Sequence, residues 1–250
     1  MFHIKMMNNM KKLYIYAFAL MVTMVAFTSC NDDEDQLTDS RLTYYPEYTI
    51  KGDEFVIHPI GEPYVDPGCT AMLQGEDYTS HIETTGLEKL DINTPGLYYI
   101  TYGSYNKDHY WTSVMRTVAV CDTNVTTDLT GDYKVIKGYR ENKGNQISFT
   151  NFKEKLEKVA PGIFKISDLL GGWYDQRAGY GSNYAMPGYI QLTIDNKINV
   201  LSGHVPAWGD TYNSVTSGTY DPENQTLDWS VNYSEYSFIF YVQIQKEVKK

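Results

Sequence analysis

Thr94-Pro95-Gly96-Leu97-Tyr98-Tyr99-Ile100-Thr101-Tyr102 decides the fold class of this chain. A Pro-Gly turn delivers the backbone into a run that places Tyr98, Ile100 and Tyr102 on one face and their neighbours on the other. That period of two is the mark of a half-buried strand. The same signature recurs on both sides. Glu54-Phe55-Val56-Ile57 is strand-like and is broken by Gly61-Glu62-Pro63. Asp66-Pro67-Gly68 breaks the chain again before Cys69-Thr70-Ala71-Met72-Leu73, and Val114 to Val120 supplies a last strand. Short strands with turns between them, and no helical periodicity, predict a small β-sandwich over residues 41 to 122.

A polar stretch near residue 125 separates this unit from a second, residues 127 to 250. Asp128-Leu129-Thr130-Gly131-Asp132-Tyr133-Lys134-Val135 enters as a turn and then an alternating strand. Further strands are expected at Gln146–Phe149, Gly162–Ile166, Gly188–Ile194, Ile198–Leu201, Val215–Tyr220, Gln225–Val231 and Tyr236–Gln245. Asp195-Asn196 and Asp221-Pro222-Glu223-Asn224 read as turns. Only Asn151–Val159 reads as a helix, with Asn151 as its cap and Pro161-Gly162 as its stop. A run of antiparallel strands closed by a long final one predicts an antiparallel β-barrel or a curved β-sandwich. The chain as a whole is therefore expected to be all-β.

The first 29 residues read as a leader. Lys11 and Lys12 precede Leu13–Phe27, an apolar run of about 15 residues where a membrane-spanning helix needs ~20. Phe27-Thr28-Ser29-Cys30 resembles a bacterial lipobox, which implies that Cys30 is lipidated and becomes the new N-terminus. The departure from the pattern is Phe27, where leucine is usual. Asn31-Asp32-Asp33-Glu34-Asp35 opens an acidic linker over residues 30 to 40, a self-repelling spacer that lacks the glycine turn of a calcium loop. It resembles the acidic signal by which Bacteroidetes-type lipoproteins reach the outer face of the outer membrane.

Net charge is −10, and the leader removes three lysines and no acid, so the mature chain is more acidic still. Such a surface repels phosphate backbones and argues against nucleic acid as a partner. Cys69 and Cys121 remain after Cys30, and the sequence leaves open whether they pair or stay as buried thiols. Aromatic residues make up 14% of the chain, with 23 tyrosines against 9 phenylalanines. Because a buried tyrosine must find a partner for its hydroxyl, that excess points to half-exposed strand faces or a recognition surface.

Three ordered segments carry a family resemblance: Gly61 to Ala71, Asn93 to Tyr102 and Arg116-Thr117-Val118-Ala119-Val120. Together they resemble a bacterial immunoglobulin-like domain of surface proteins, which implies an immunoglobulin-like β-sandwich acting as a spacer. Cys69 stands where that family usually has an aliphatic residue. In the second unit, Leu129 to Tyr133, Ile166 to Tyr174 and Trp208-Gly209-Asp210 resemble the β-rich C-terminal domain of Bacteroidetes surface lipoproteins. The resemblance implies location and architecture, with a glycan as ligand by analogy to accessory proteins of polysaccharide uptake.

Gly171 to Tyr184 is the candidate binding loop. It is rich in Gly, Tyr, Ser and Asn, the mixture of rigid aromatic contacts and adaptable polar groups found in binding loops. Trp173, Tyr174, Tyr180 and Tyr184 can cover the C–H face of a sugar, while Asp175, Gln176, Arg177 and Asn183 can meet its hydroxyls. Trp208, with Asp210 beside it, can form an opposite wall. The competing reading is a structural plug at a barrel end, and Trp229, inside a strand, reads as core. A role as a structural or protein-interaction subunit of an outer-membrane transport complex is the alternative function. No catalysis is expected: His3, His58, His81, His109 and His204 show no metal-ligand spacing, and there is no nucleophile elbow or dinucleotide fingerprint. Asp168, Asp175 and Asp210 are the only hint of a glycosidase. No cofactor or metal is expected.

Overall fold

A computed structural model describes residues 42–233 and 237–247. The leader, Cys30 and the acidic linker lie outside the described residues. The alternation read before residue 122 becomes seven strands: β1 (Glu47–Ile50), β2 (Phe55–Pro59), β3 (Cys69–Leu73), β4 (Glu76–Asp77), β5 (Glu83–Thr85), β6 (Gly96–Tyr105) and β7 (Trp111–Cys121). They form two sheets, β1-β3-β4 and β2-β7-β6-β5, with β2 parallel to β7 and every other pair antiparallel. Tyr98, Ile100 and Tyr102 do share one face, and with Cys69, Val118 and Val120 they form the core between the sheets. This is the immunoglobulin-like sandwich. The loop that groups Tyr105, His109, Tyr110 and Trp111 is the β6–β7 hairpin, where Tyr105 meets Trp111 edge to face at 5.0 Å.

The sandwich buries one cation. The Arg116 guanidinium is fully enclosed, paired with Asp66 and donating to the backbone oxygens of Lys51 and, at 3.0 Å, Asp53. The Tyr102 hydroxyl completes the network by donating to Asp66 at 2.6 Å. A buried charge is tolerable only when paired and hydrogen-bonded, and here its donors are spread over four acceptors. Cys69 and Cys121 are free thiols in different clusters. Cys69 lies in the sandwich core, and Cys121 packs with Ala119, Ala160 and Ile163 where the sandwich meets the following domain. Burial pushes the Cys121 thiol up to about 11.

After a connection over Asp122–Thr130 come β8 (Gly131–Asn142), β9 (Asn145–Phe149), β10 (Lys153–Ala160), β11 (Ile163–Ile166), β12 (Gly188–Leu192), β13 (Lys197–Val205), β14 (Asp210–Thr216), β15 (Gly218–Asp221), β16 (Thr226–Tyr233) and β17 (Phe238–Lys246). Strands β8-β10-β11-β12-β13-β14-β16-β17 follow one another round a closed antiparallel barrel, because β17 and β10 both pair with β8. The barrel alternative is therefore the observed one. The expected strand Val215–Tyr220 is broken in two. β14 pairs with one end of β13, at His204 and Val205, and β15 with the other, at Lys197 and Ile198. Gly218 sits at the break because a Cβ there would lie 1.6 Å from the Asp228 carbonyl oxygen.

The expected helix at Asn151–Val159 is a strand instead, β10. Asn151 is no cap: it holds φ of 68° in the left-handed region and donates its N–H to Val135. From Lys153 onward exposed and buried residues alternate, but Glu154 occupies an inward position. That acid at an inward position hid the alternation among the charged residues mixed with Leu156 and Val159, and pairing with β8 and β11 overrode the local propensity. The barrel core includes Trp229, as expected, whose indole N–H donates to the Leu169 carbonyl at 2.9 Å. Several tyrosines lie deeper than their excess suggested. Tyr102, Tyr133 and Tyr233 are buried, and each hydroxyl has a partner: Asp66 at 2.6 Å, the Leu129 carbonyl at 2.7 Å and Asp210 at 2.9 Å.

Candidate functional site

The candidate loop spans the gap between β11 and β12, and one carboxylate holds both of its roots. Asp168, buried at the exit of β11, accepts from the N–H groups of Leu170 (2.8 Å) and Gly172 (3.0 Å) at the start of the loop. It also accepts from Met186 (2.9 Å) at its end. Behind it lies Glu154, which accepts from the Asp168 N–H at 3.0 Å and from the Ser167 hydroxyl. Burial dominates both acids. It lifts Asp168 to about 6 despite the three N–H donors, and pushes Glu154 well above the usual carboxylate range with help from the Asp168 charge.

Beyond that clamp the chain turns sharply. Gly172 adopts φ of 77°, and a Cβ there would come within 2.8 Å of Phe152, so glycine is required twice over. One turn of π-helix follows, Trp173–Arg177. This turn sends Trp173 inward and carries Tyr174 toward the barrel mouth. Trp173 was expected to touch ligand, but only 4% of it is exposed. Its ring is covered edge-on by Phe149 (5.3 Å) and Phe240 (5.9 Å), so it forms the floor of the site rather than its contact surface.

Four other residues singled out in the sequence do meet. Trp208, in the β13–β14 connection, packs edge to face on Tyr174 at 4.9 Å and on Tyr184 at 5.1 Å. Tyr180 stacks near Tyr174 at 6.2 Å and touches Tyr184 at 5.4 Å. The Ala207 N–H donates to the Asn183 carbonyl at 2.9 Å, which fastens the two loops to each other. Beneath the cluster Tyr174 rests on Tyr233 and Phe240 of the core. Its upper members stay open: Tyr180 is 57% and Trp208 44% exposed.

The polar candidates are placed less uniformly. Both oxygens of Asp210 accept from the Tyr233 hydroxyl at 2.9 Å, so this acid anchors the wall beneath Trp208. Gln176 turns back to bond the Lys153 backbone in both directions, at 2.9 and 2.8 Å. Asp175 lines a separate cleft of about 300 Å³, shared with Ser182, Lys155 and Lys165. Arg177 is exposed, with its guanidinium 4.1 Å from the Trp173 ring centre. Sequence reasoning missed Arg140 of β8, whose guanidinium lies 4.7 Å from the same ring. A strand arginine 31 positions before Gly171, the start of the loop, carries no local signal. Only the pairing of Arg140 with Phe240 brings it there. Among the described residues no three metal-ligating side chains gather.

Two family models match the chain. A bacterial surface protein Ig-like domain covers residues 48–120, and a C-terminal domain family covers residues 122–246. Among solved structures the chain is similar to the lipoprotein BT2262 from Bacteroides thetaiotaomicron, at 37% identity over 81% of this chain and 100% of that one, with a TM-score of 0.45. A second likeness is to CBM51-2 in complex with GlcNAc and INT domains from Clostridium perfringens ZmpB. It has 17% identity, covers 48% of this chain and 28% of that one, and has a TM-score of 0.24. No curated protein matches significantly.

Proposed function

The chain belongs to the family of the Bacteroides lipoprotein BT2262, and from that premise we propose that it is a lipid-anchored protein of the outer cell surface whose barrel mouth binds a glycan. In this reading Cys30 carries the lipid and the immunoglobulin-like sandwich serves as the spacer. The C-terminal domain captures carbohydrate as an accessory to polysaccharide uptake. One observation carries it: Tyr174, Tyr180, Tyr184 and Trp208, drawn from two loops, converge in ring contact while Tyr180 and Trp208 stay open to solvent. A plug made only to close the barrel has no need to leave Trp208 and Tyr180 open to solvent. An aromatic face stacked on a pyranose gains area at low conformational cost.

The site is read as non-catalytic. Asp168 is buried and held by three backbone N–H groups, which keeps it from acting on a glycosidic oxygen. The test is isothermal titration of the full chain against a polysaccharide panel. Binding that falls at least about tenfold in Trp208→Ala and Tyr180→Ala is expected, whereas binding indifferent to both would sink the proposal. Reducing-sugar release that Asp175→Asn abolishes would revive the hydrolase reading.

One feature favours a protein-interaction role instead. Phe55, Ile57 and Met115 are exposed on the outer face of the β2-β7-β6-β5 sheet. A partner that co-purifies without sugar and is released by Ile57→Lys would support that alternative.

A further inference from the structure

Arg140 and Arg177 are cations without anions. The described residues contain three ion pairs, Arg116–Asp66, Lys155–Glu157 and Lys197–Asp195, and neither of these arginines takes part in one. This is unexpected in a chain with 31 acids against 21 lysines and arginines. Both guanidinium groups instead lie against the Trp173 ring, at 4.7 and 4.1 Å from its centre, and Arg140 also lies 4.6 Å from the Phe238 ring. Stacking on an aromatic face holds a guanidinium plane still while leaving its N–H edge free for another partner.

Two atoms here lack the hydrogen bonds that buried groups normally find. The Nε of Arg140 is buried with no acceptor, and so is the side-chain oxygen of Asn142, with no donor. The two residues are two apart on β8 and so share one strand face, the face on which Arg140 stands opposite the buried Phe240. Arg140 is also close enough to the Tyr174 phenol for its charge to act on it. The unmatched groups therefore border the aromatic cluster and form no separate centre.

We propose that the glycan bound at the barrel mouth is acidic, with Arg140 and Arg177 receiving its carboxylate or sulfate and Asn142 accepting from a neighbouring hydroxyl. This rests on the glycan reading above and narrows its ligand class. A planar fork meeting a carboxylate or sulfate in two parallel hydrogen bonds is the partner these side chains lack. It would also explain how so acidic a protein attracts an acidic polymer: the ligand is drawn to one cationic spot, not to the surface at large.

The experiment titrates the full chain with a galacturonan hexamer and its fully methyl-esterified form, and in a second arm with a sulfated galactan hexamer and its desulfated form. The acidic member of at least one pair is expected to bind about tenfold or more tightly than its neutral twin. That gap should narrow with added salt and close in Arg140→Gln/Arg177→Gln. Arg140→Lys, which keeps the charge and loses the fork, should recover part of it. Arg177→Gln alone, at an exposed position, guards against misfolding of the double variant and should still shrink the gap. Equal binding of acidic and neutral twins, reversed by Trp208→Ala, overturns the acidic preference and leaves the glycan site standing. A gap that survives the double variant also overturns it. Binding by none of the probes overturns both.

Discussion

The two halves of the molecule bury charge in opposite ways. In the sandwich, Arg116 is enclosed with Asp66, Tyr102 and two backbone oxygens, so its charge and its donors are answered within the fold. In the barrel, Glu154 and Asp168 lie side by side as two buried acids, one oxygen of Glu154 has no donor, and Arg140 stands apart without either of them. A closed network suits a module whose task is to keep its shape. Polar groups without partners persist where something beyond stability is served, and in the barrel they lie at the roots and floor of a single loop.

Breaking the closed network should have the largest effect. Arg116→Met leaves Asp66 buried and unpaired, and is expected to cost about 3–5 kcal/mol in chemical denaturation. Asp168→Ala strands three buried N–H groups at both roots of the loop. It should cost about 2–4 kcal/mol and speed amide exchange at Leu170, Gly172 and Met186, while leaving β6 and β7 protected.

Acidity separates the halves more gently. Asp168 titrates near 6 in the folded protein against an ordinary 3.8, so the folded state holds the proton more tightly than the unfolded chain does. Its contribution to stability is full below about pH 4 and is lost as pH rises through 6, worth up to about 3 kcal/mol. The melting temperature should therefore rise by a few degrees from pH 7 to pH 5. Glu154→Gln/Asp168→Asn should flatten that slope and Arg116→Met should leave it intact. The smallest effect on stability is expected from Trp208→Ala, below about 1 kcal/mol, because the ring is half in solvent.

The sequence showed the strands wherever inward positions are apolar, as at Tyr98, Ile100 and Tyr102, because alternation is then visible residue by residue. It misled at β10, where inward Glu154 erased the contrast. The aromatic cluster was legible from composition: the Gly-Tyr-Ser-Asn mixture named Tyr174, Tyr180, Tyr184 and Trp208, and the fold brings them together. Trp173 misread for the same reason, since a glycine-rich loop looks exposed and the π-turn that points its ring inward has no sequence signature. The clamp by Asp168 and the approach of Arg140 depend on which strands pair, so they could not be seen before the barrel closed.

Four tryptophans report on the two halves separately: Trp111 in the sandwich hairpin, Trp229 in the barrel core, Trp173 in the floor of the site and Trp208 on its open edge. Following their indole N–H signals while a galacturonan hexamer is added to the full chain tests the glycan claim most directly. The account predicts that Trp208 moves most, Trp173 less, and that Trp111 and Trp229 stay where they are. Movement led by Trp111, or none with either this hexamer or the sulfated galactan hexamer, would contradict it.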